Sequence, residues 1–241
     1  KLADEWAAVS SSNQGTAPVL IHEEPDVSIK VIREHLNFDF KKLLIEKNKN
    51  FDNVKNYIEE TSPELINIIE TYDDKMDLFE RYHIEDQIQK ALDRKVWLPS
   101  GGHLIIDPTE ALTVIDVNTG KFVGKNSLEE TVYENNLEAA EEIARQLRLR
   151  DIGGIIVIDF IDMESVKKQQ SLLTKLKQEL AKDKTRTQVF EVSRLGLVEM
   201  TRKNVAAGLI ETFSEDCEEC DGRGLIINDI FSNNSQENNI L

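Results

Sequence analysis

Two aspartates, Asp116 and Asp159, stand near the ends of two apolar segments that we expect to form neighbouring strands. A carboxylate in a buried strand is costly unless a partner compensates it, and two neighbouring carboxylates repel each other and raise a pKa. A divalent cation between them would remove that repulsion. Magnesium suits such a pair, because it prefers oxygen ligands and often takes only one or two carboxylates besides waters and a substrate phosphate. The pair therefore predicts a magnesium site.

Three further polar residues lie close to this pair in the sequence. Asn118 is two positions beyond Asp116, so it points to the same face of a strand and could orient a ligand or a water. Asp162 follows three residues after Asp159 and fits a helix N-cap as well. Asp107 directly precedes a proline and is expected in a turn. The alternative for Asp116 and Asp159 themselves is that each caps a neighbouring element or pairs with an arginine, and spacing alone leaves it open.

A magnesium ion held in this way limits the chemistry that we expect. It would bind a non-bridging phosphate oxygen and a water together, make that water more acidic and position it for in-line attack on phosphorus. Basic side chains would neutralise the nucleic-acid chain and the charge that develops during attack. The arginines of the middle segment are candidates for that role or, alternatively, plain surface residues: Arg145, Arg148, Arg150, Arg186 and Arg194.

A second possible metal site lies at the C-x-x-C segment from Cys217 to Cys220, which glycines follow. Zinc takes four ligands in a tetrahedral array, and a C-x-x-C turn supplies two of them. The chain has no other cysteine, and its four histidines form no H-x-H or H-x3-H pair. The same turn of a second chain could complete the site and give a zinc-linked dimer. A thioredoxin-like redox pair and two free thiols are the alternatives.

Composition restricts the class of protein. The 241 residues carry a net charge of −16, which alone argues against a nucleic-acid partner. Residues 143–208, however, hold thirteen Lys and Arg against eight Asp and Glu, which is compatible with RNA binding or with solvated helix faces. No apolar run is long enough to span a membrane, no signal peptide opens the chain, and two cysteines are too few for a disulfide framework. We therefore expect a cytoplasmic protein, and the absence of an initial Met suggests a fragment.

The acids need a sheet to position them, and the second half of the chain predicts one. Apolar runs at 103–107 and 111–118 indicate a hairpin, and a capping box at 127–130 predicts a helix to about Arg150. The continuous apolar run 155–161 is typical of a strand buried on both faces. A helix over 164–182 and a strand over 188–192 follow. Alternation of strands and helices predicts an α/β layer with helices packed on a sheet.

The first half of the chain gives weaker signals. Residues 1–18 are polar after a short helical start, and 27–32 fit a strand or a short helix. We expect a strand over 38–45, helices over 51–70 with an interruption at Ser62-Pro63, and an amphipathic helix over 78–92. The Asn- and Ser-rich residues after Gly224 are expected to be poorly ordered.

Several motifs, in order, resemble the ribonuclease E/G family. They cover residues 97–224 closely and the preceding ninety loosely, and they are long enough to be very specific: LPSGG at 98–102, TEALT at 109–113, IDVN at 115–118, NLEAA at 136–140, EIARQLRLRDIGG at 142–154, IDFIDM at 158–163, SRLGLVEMTR at 193–202 and the Cys217–Cys220 turn.

The resemblance implies a fold, a site and an activity. Asp116 and Asp159 match the family's magnesium ligands, Asn118 matches the residue that supports them, and Cys217 and Cys220 match the zinc link between two protomers. The implied activity is endonucleolytic cleavage of single-stranded RNA to 5′-phosphate and 3′-hydroxyl ends, with roles in ribosomal RNA processing and messenger RNA decay. The implied assembly is a zinc-linked homodimer or a dimer of such dimers.

The resemblance also implies an α/β domain organisation, which the following ranges describe. We expect part of an RNase H-like subdomain over 1–75, a DNase I-like catalytic subdomain over 76–212, the zinc link over 213–224 and a tail over 225–241. Two other functions stay open. The chain could be a non-catalytic, zinc-linked remnant that binds RNA or a partner and lacks the family's S1 and 5′-sensor domains. It could also be a magnesium phosphoesterase for a small molecule.

Overall fold

The computed structural model of the chain describes residues 2–11, 26–37, 39–46, 49–120, 128–220 and 222–226. The chain divides into two compact units, with the boundary between Ile84 and Glu85. The structure and the sequence agree on a mixed α/β protein. None of the helices within the described ranges is long and apolar enough to cross a membrane.

The first unit is built around a short parallel pair of strands with a small apolar core. Strands β1 and β2 align Leu43 with Ile69, and Val54, Ile58 and Leu65 are buried beside them. The elements of this unit are α1 (Leu2–Ser11), α2 (Val27–His35), β1 (Leu43–Glu46), α3 (Lys49–Thr61), a 3-10 helix (Pro63–Ile68), β2 (Ile69–Tyr72) and α4 (Leu78–Arg81).

Three expectations for this unit needed correction or completion. Residues 27–32 are helical rather than extended, since the Asp26 side chain accepts the Ser28 N–H at the helix start. The helical segment expected over 51–70 ends early, and its last residues form β2. The amphipathic helix expected over 78–92 is two helices, α4 and α5 (Ile84–Leu92), because His83 between them has a φ of 52°. The beginning of the strand expected over 38–45 lies partly outside the described residues.

The second unit is a six-stranded mixed sheet with two long helices. The strand order is β3-β4-β5-β6-β8-β7, and β5 and β6 are parallel while the other neighbours are antiparallel. Helix α6 makes the crossover that a parallel pair requires. The elements are β3 (Lys95–Trp97), β4 (His103–Pro108), β5 (Thr113–Asn118), α6 (Leu128–Leu149), β6 (Gly154–Asp159), α7 (Val166–Leu180), β7 (Thr187–Val192), β8 (Val198–Arg202) and α8 (Leu209–Phe213).

The core of this unit lies on one side of the sheet. Alternate strand residues, such as Ile115, Ile156 and Ile158, are fully buried with the apolar faces of α6 and α7. Their neighbours face the other side, where Ile155 is 52% exposed. The expectation that 155–161 forms a strand buried on both faces was therefore wrong. In the described residues the sheet has one covered face and one face that we call the open face.

Local features of this unit agree with the sequence predictions in one place and differ from them in others. The hairpin of β4 and β5 is confirmed, but Asp107 lies within β4 and pairs with Arg94 rather than shaping the turn. Asp162 does not cap α7, which begins after Ser165. The capping box expected at the start of α6 includes Ser127, which lies outside the described residues. Strand β8 was not expected at all.

A buried arginine joins the start of β6 to the end of β8. Arg202 is 4% exposed, and its guanidinium donates to Asp183 Oδ2 at 3.0 Å, to Asp151 Oδ1 at 2.8 Å and to the Ile152 carbonyl at 2.9 Å. Burial raises the pKa of Asp183, but the Thr185 N–H and the Arg202 guanidinium outweigh it and hold that pKa below its usual value. The arginine thus fixes three chain segments at one end of the sheet.

We predict that Arg202→Met lowers the free energy of unfolding by roughly 3–5 kcal/mol, because it leaves Asp183 buried without its charge partner. Arg94→Met is the matched control. It removes an ion pair with Asp107 whose arginine side chain is 70% exposed, and we expect a loss of about 0–1 kcal/mol. Urea unfolding of both variants measures the difference, and equal losses would contradict this account of Arg202.

Candidate metal centre

The parallel register of β5 and β6 brings the two predicted acids together. Asp116 is the Cα partner of Asp159, so both side chains leave the sheet on the same face from adjacent strands. Neighbouring strands are about 4.8 Å apart. Both residues are exposed on the open face, whereas the residues next to them in each strand, Ile115 and Ile158, are buried. Two carboxylates that the sequence separates by more than forty residues thus become nearest neighbours.

The electrostatics of the pair show that the two charges interact. Burial raises the pKa of Asp159, and the negative charges of Asp116 and then Asp162 raise it further. Ionisation of this carboxyl is therefore less favourable in the protein than in water. A cation that contacts both carboxylates would reverse the effect, because an opposite charge favours the ionised form.

Asn118 is directly linked to this pair. Its Nδ2 donates to Asp116 Oδ2 at 2.6 Å, as expected for two residues on the same face of one strand. That hydrogen bond leaves fewer rotamers open to Asp116, so the carboxylate is oriented before any ligand arrives. The prediction that Asn118 supports an acidic ligand fits this contact.

The chemistry of the donor set fits magnesium better than a transition metal. Among the described residues, no three His, Cys, Asp or Glu side chains converge as a metal-binding cluster. A zinc or iron site built from one chain would need such a cluster, whereas magnesium keeps several waters and needs few protein ligands. Asp116 and Asp159 would hold the ion, and Asn118 would orient the first of them.

Helix α6 holds the chain segment that follows Asp159, a role that the sequence analysis missed. Asn136 is fully buried, its Nδ2 donates to the Ile161 carbonyl at 2.8 Å, and its Oδ1 accepts the Ile161 N–H at 3.2 Å. Both backbone groups of Ile161 are thereby satisfied by one side chain. The available signal was the pair Asn135-Asn136 on the apolar face of an amphipathic helix, where an amide is rare unless it binds backbone.

The glycine-rich loop at 98–102 supports the end of β5. The Ser100 N–H donates to Glu138 Oε2 at 3.0 Å, which ties the loop to α6. A Cβ added to Gly102 would lie 2.7 Å from the Asn118 carbonyl oxygen and 2.1 Å from Asn135 Oδ1. Only glycine allows this close approach. The motif therefore serves the packing around Asn118.

The arginines singled out from the sequence fall into two groups. Three have partners on α6 or α7: Arg145 donates to Glu142, Arg148 to the Glu179 carbonyl, and Arg150, which is 1% exposed, to Gln146. Arg150 is thus a buried residue, which corrects its proposed role at the phosphate. Arg186 and Arg194 are exposed and stay candidates for contact with a polyanion.

The C-x-x-C segment forms a hydrogen-bonded turn. The Cys220 N–H donates to the Cys217 carbonyl at 3.3 Å, and the Gly224 N–H donates to Cys220 Sγ at 3.3 Å. Hydrogen bonds from the Cys220 and Glu219 backbone, then from the Cys220 side chain, lower the pKa of the Cys217 thiol. The turn therefore makes the Cys217 thiolate, the form that binds zinc, easier to form than in a free cysteine. Asp221, inside this motif, lies outside the described residues.

Comparison with known protein families gives one match. A sequence model described as "Ribonuclease E/G family" matches residues 1–205. That range contains both aspartates, Asn118 and Asn136, and it ends before the C-x-x-C turn.

Three relatives show the extent of the similarity. The chain is 42% identical to ribonuclease E of Haemophilus influenzae over 226 residues, which are 93% of this chain and 24% of that protein. It is 41% identical to ribonuclease E of Escherichia coli K12 over 92% of this chain and 21% of that protein. It is 40% identical to ribonuclease G of Escherichia coli K12 over 86% of this chain and 42% of that protein. The chain thus spans less than half of each relative.

The acid pair gives a prediction about titration in the metal-free protein. Asp116→Asn removes one of the charges that raise the pKa of Asp159, so we expect that pKa to fall. It should stay above the ordinary value, because burial, the larger cause, remains. Carboxyl-detected NMR titration measures the change. Asp107→Asn is the control, since the Asp107 charge does not act on Asp159, and an unchanged Asp159 pKa in Asp116→Asn would show that the two carboxylates are not coupled.

Proposed function

The chain belongs to the ribonuclease E/G family. On that premise we propose that it is the metal-binding part of an endoribonuclease for single-stranded RNA, with Asp116 and Asp159 as the metal ligands. The observation that carries the proposal is the register of β5 and β6, which places the two acids side by side on the open face. Relatives of the chain are named ribonuclease E and ribonuclease G.

Each residue of the site has a separate task in this proposal. Asp116 and Asp159 bind the magnesium ion through carboxylate oxygens, and Asn118 fixes the orientation of Asp116 by its 2.6 Å hydrogen bond. Asn136 holds the backbone after Asp159 through Ile161. A bound ion would supply a Lewis acid that polarises a phosphate and lowers the pKa of a water; attack of that water on phosphorus with the 3′ oxygen as the leaving group would give 5′-phosphate and 3′-hydroxyl ends.

The shape of the site favours a polymer over a small molecule. Both acids lie on an exposed sheet surface. A cavity of about 750 Å³ exists in the second unit, but it is lined by residues at the starts of β5 and β6, including Thr113 and Gly154, and by neither acid. A phosphoesterase for a small substrate would enclose it in a pocket. An open surface instead accommodates a chain that extends beyond the site in both directions.

Assembly, fold family and cellular role complete the proposal. We propose that Cys217 and Cys220 of two chains share one zinc ion and link a homodimer, or a dimer of such dimers. The second unit corresponds to a DNase I-like subdomain and the first to part of an RNase H-like subdomain. The work of the enzyme is ribosomal RNA processing and messenger RNA decay in the cytoplasm.

The proposed metal ligands give a prediction about RNA cleavage. We expect Asp116→Asn and Asp159→Asn to reduce cleavage of a labelled single-stranded RNA to background in magnesium, because each removes an ionic ligand. Asn118→Ala, which removes only the supporting hydrogen bond, should cost about 10- to 100-fold. Asp107→Asn is the control and should cleave as the wild type does. Gel-resolved product formation with and without magnesium measures the rates, and thermal unfolding verifies that each variant is folded.

Two results would reject parts of this assignment. Cleavage at wild-type rate by Asp159→Asn would remove the metal ligands that we propose. No magnesium-dependent cleavage by the folded wild-type chain would instead favour the non-catalytic, zinc-linked alternative, which keeps the cysteines and has no use for the acid pair.

The second prediction concerns the zinc link. We expect the wild-type protein to contain one zinc ion for every two chains, and Cys217→Ser or a zinc chelator to convert the dimer into monomers, since two thiolates from each chain are needed for a tetrahedral site. Light scattering gives the mass and atomic emission the zinc content. Glu218→Gln, inside the same turn, is the matched control and should stay dimeric. A Cys217→Ser variant of unchanged mass would refute the shared site.

A further inference from the structure

An aromatic pair, the exposed Trp97 and the half-buried His103, lies on the open face near Asp116. Trp97, in edge strand β3, is 65% exposed, and its ring lies 5.5 Å from the His103 ring at an interplanar angle of 53°. The Lys95 Nζ lies 4.0 Å from the centroid of the Trp97 ring. Neither aromatic residue belongs to the buried core of this unit. The Trp97 ring therefore lies outside the core and next to the Lys95 ammonium group, which are features of a binding surface.

The strand register connects this pair to the proposed metal centre in three steps. Trp97 is the Cα partner of His103, and His103 is the Cα partner of Asn118. Asn118 in turn holds Asp116. With strands about 4.8 Å apart, Trp97 lies about 10 Å from Asn118 across the sheet. The negative charge of Asp116 also acts on the His103 imidazole. The aromatic pair and the acids therefore form one continuous surface.

We propose that Trp97 and His103 form a stacking subsite for one unpaired nucleobase of the RNA substrate, next to the phosphate bound at Asp116 and Asp159. This inference rests on the proposed ribonuclease function. Bases of single-stranded RNA stack on aromatic side chains, and such contacts tolerate any base because every base has a π-face. Lys95 provides the positive charge that the adjoining phosphate requires on a chain with a net charge of −16.

The protonation state of His103 suits a base-stacking subsite. Burial and the Lys95 charge lower the pKa of the His103 imidazole, and the opposing effect of Asp116 is smaller. The ring is therefore neutral at neutral pH and presents an aromatic edge rather than a second cation. Tilted rings at this distance leave an angular surface, against which a base can place one face on Trp97 and its edge towards His103.

RNA fits this surface better than a protein partner does. In the strand register, Trp97 is followed on the open face by His103 and Asn118, and Asp116 lies in the next row beside the half-buried Ile105. Polar and acidic groups beside one aromatic ring match a single base joined to a phosphate. The occupant is thus a nucleotide of the same strand that meets the metal centre.

Steady-state cleavage by the full chain tests the subsite. The substrates are a labelled single-stranded oligoribonucleotide and a series of variants of it, each with an abasic nucleotide at a different position. We expect Trp97→Ala to raise KM about 10- to 100-fold with little change in kcat, since it removes a contact made equally in ground state and transition state. Trp97→Phe should restore most of the loss. Phe190→Ala, on the opposite edge strand β7, removes another exposed aromatic residue and should leave KM unchanged.

The abasic series separates stacking from a general effect on the surface. One abasic position should raise KM of the wild-type protein and have no further effect on Trp97→Ala, because both changes remove the same contact. Additive effects, or a wild-type KM in Trp97→Ala, would overturn the subsite while leaving cleavage and the acid pair intact. A wild-type chain without magnesium-dependent cleavage would overturn the ribonuclease proposal and this subsite with it.

Discussion

The parallel pairing of β5 with β6 is the constraint on which the site depends. Because strand side chains alternate between faces, a slip of one residue would turn Asp159 into the core and bring Ile158 out beside Asp116. The cost of burying a carboxylate and exposing isoleucine fixes the register. The same alternation that fills the core with Ile115, Ile156 and Ile158 therefore holds the two acids together on the other side.

The one-sided packing of the sheet explains how the proposed catalytic site can lie on an uncovered face. Helices α6 and α7 cover one face and supply the apolar contacts that stabilise it. The other face carries the acids, Asn118 and Trp97 together with aliphatic residues such as Ile155. Helix α6, on the covered face, also supports the proposed site, because its buried Asn136 holds the backbone just beyond Asp159. Stability and site geometry thus come from the same helix.

Electrostatics set a condition on RNA binding that composition alone does not reveal. The basic excess of residues 143–208 suggested a polyanion-binding surface, but several of these charges have acidic partners: Arg145, Lys168, Lys175, Lys182 and Arg202. Much of the apparent positive charge is therefore neutralised within the fold. The cation bound by Asp116 and Asp159 carries correspondingly more of the attraction for phosphate in our proposal, and Lys95, Arg186 and Arg194 are among the exposed basic residues that could add to it.

The sequence by itself predicted the types of most elements around the site and singled out Asp116, Asp159 and Asn118 as candidates, because periodicity and short spacing act locally along the chain. It did not reveal β8, the break at His83 or the one-sided burial of β6, since an apolar run such as 155–161 looks the same whether one face or both are covered. The side-by-side placement of Asp116 and Asp159, the clamp of Asn136 on Ile161 and the approach of Trp97 to the acids arose only in the tertiary structure. Each depends on which strands become neighbours and in what register, and that is decided by packing between segments far apart in the chain.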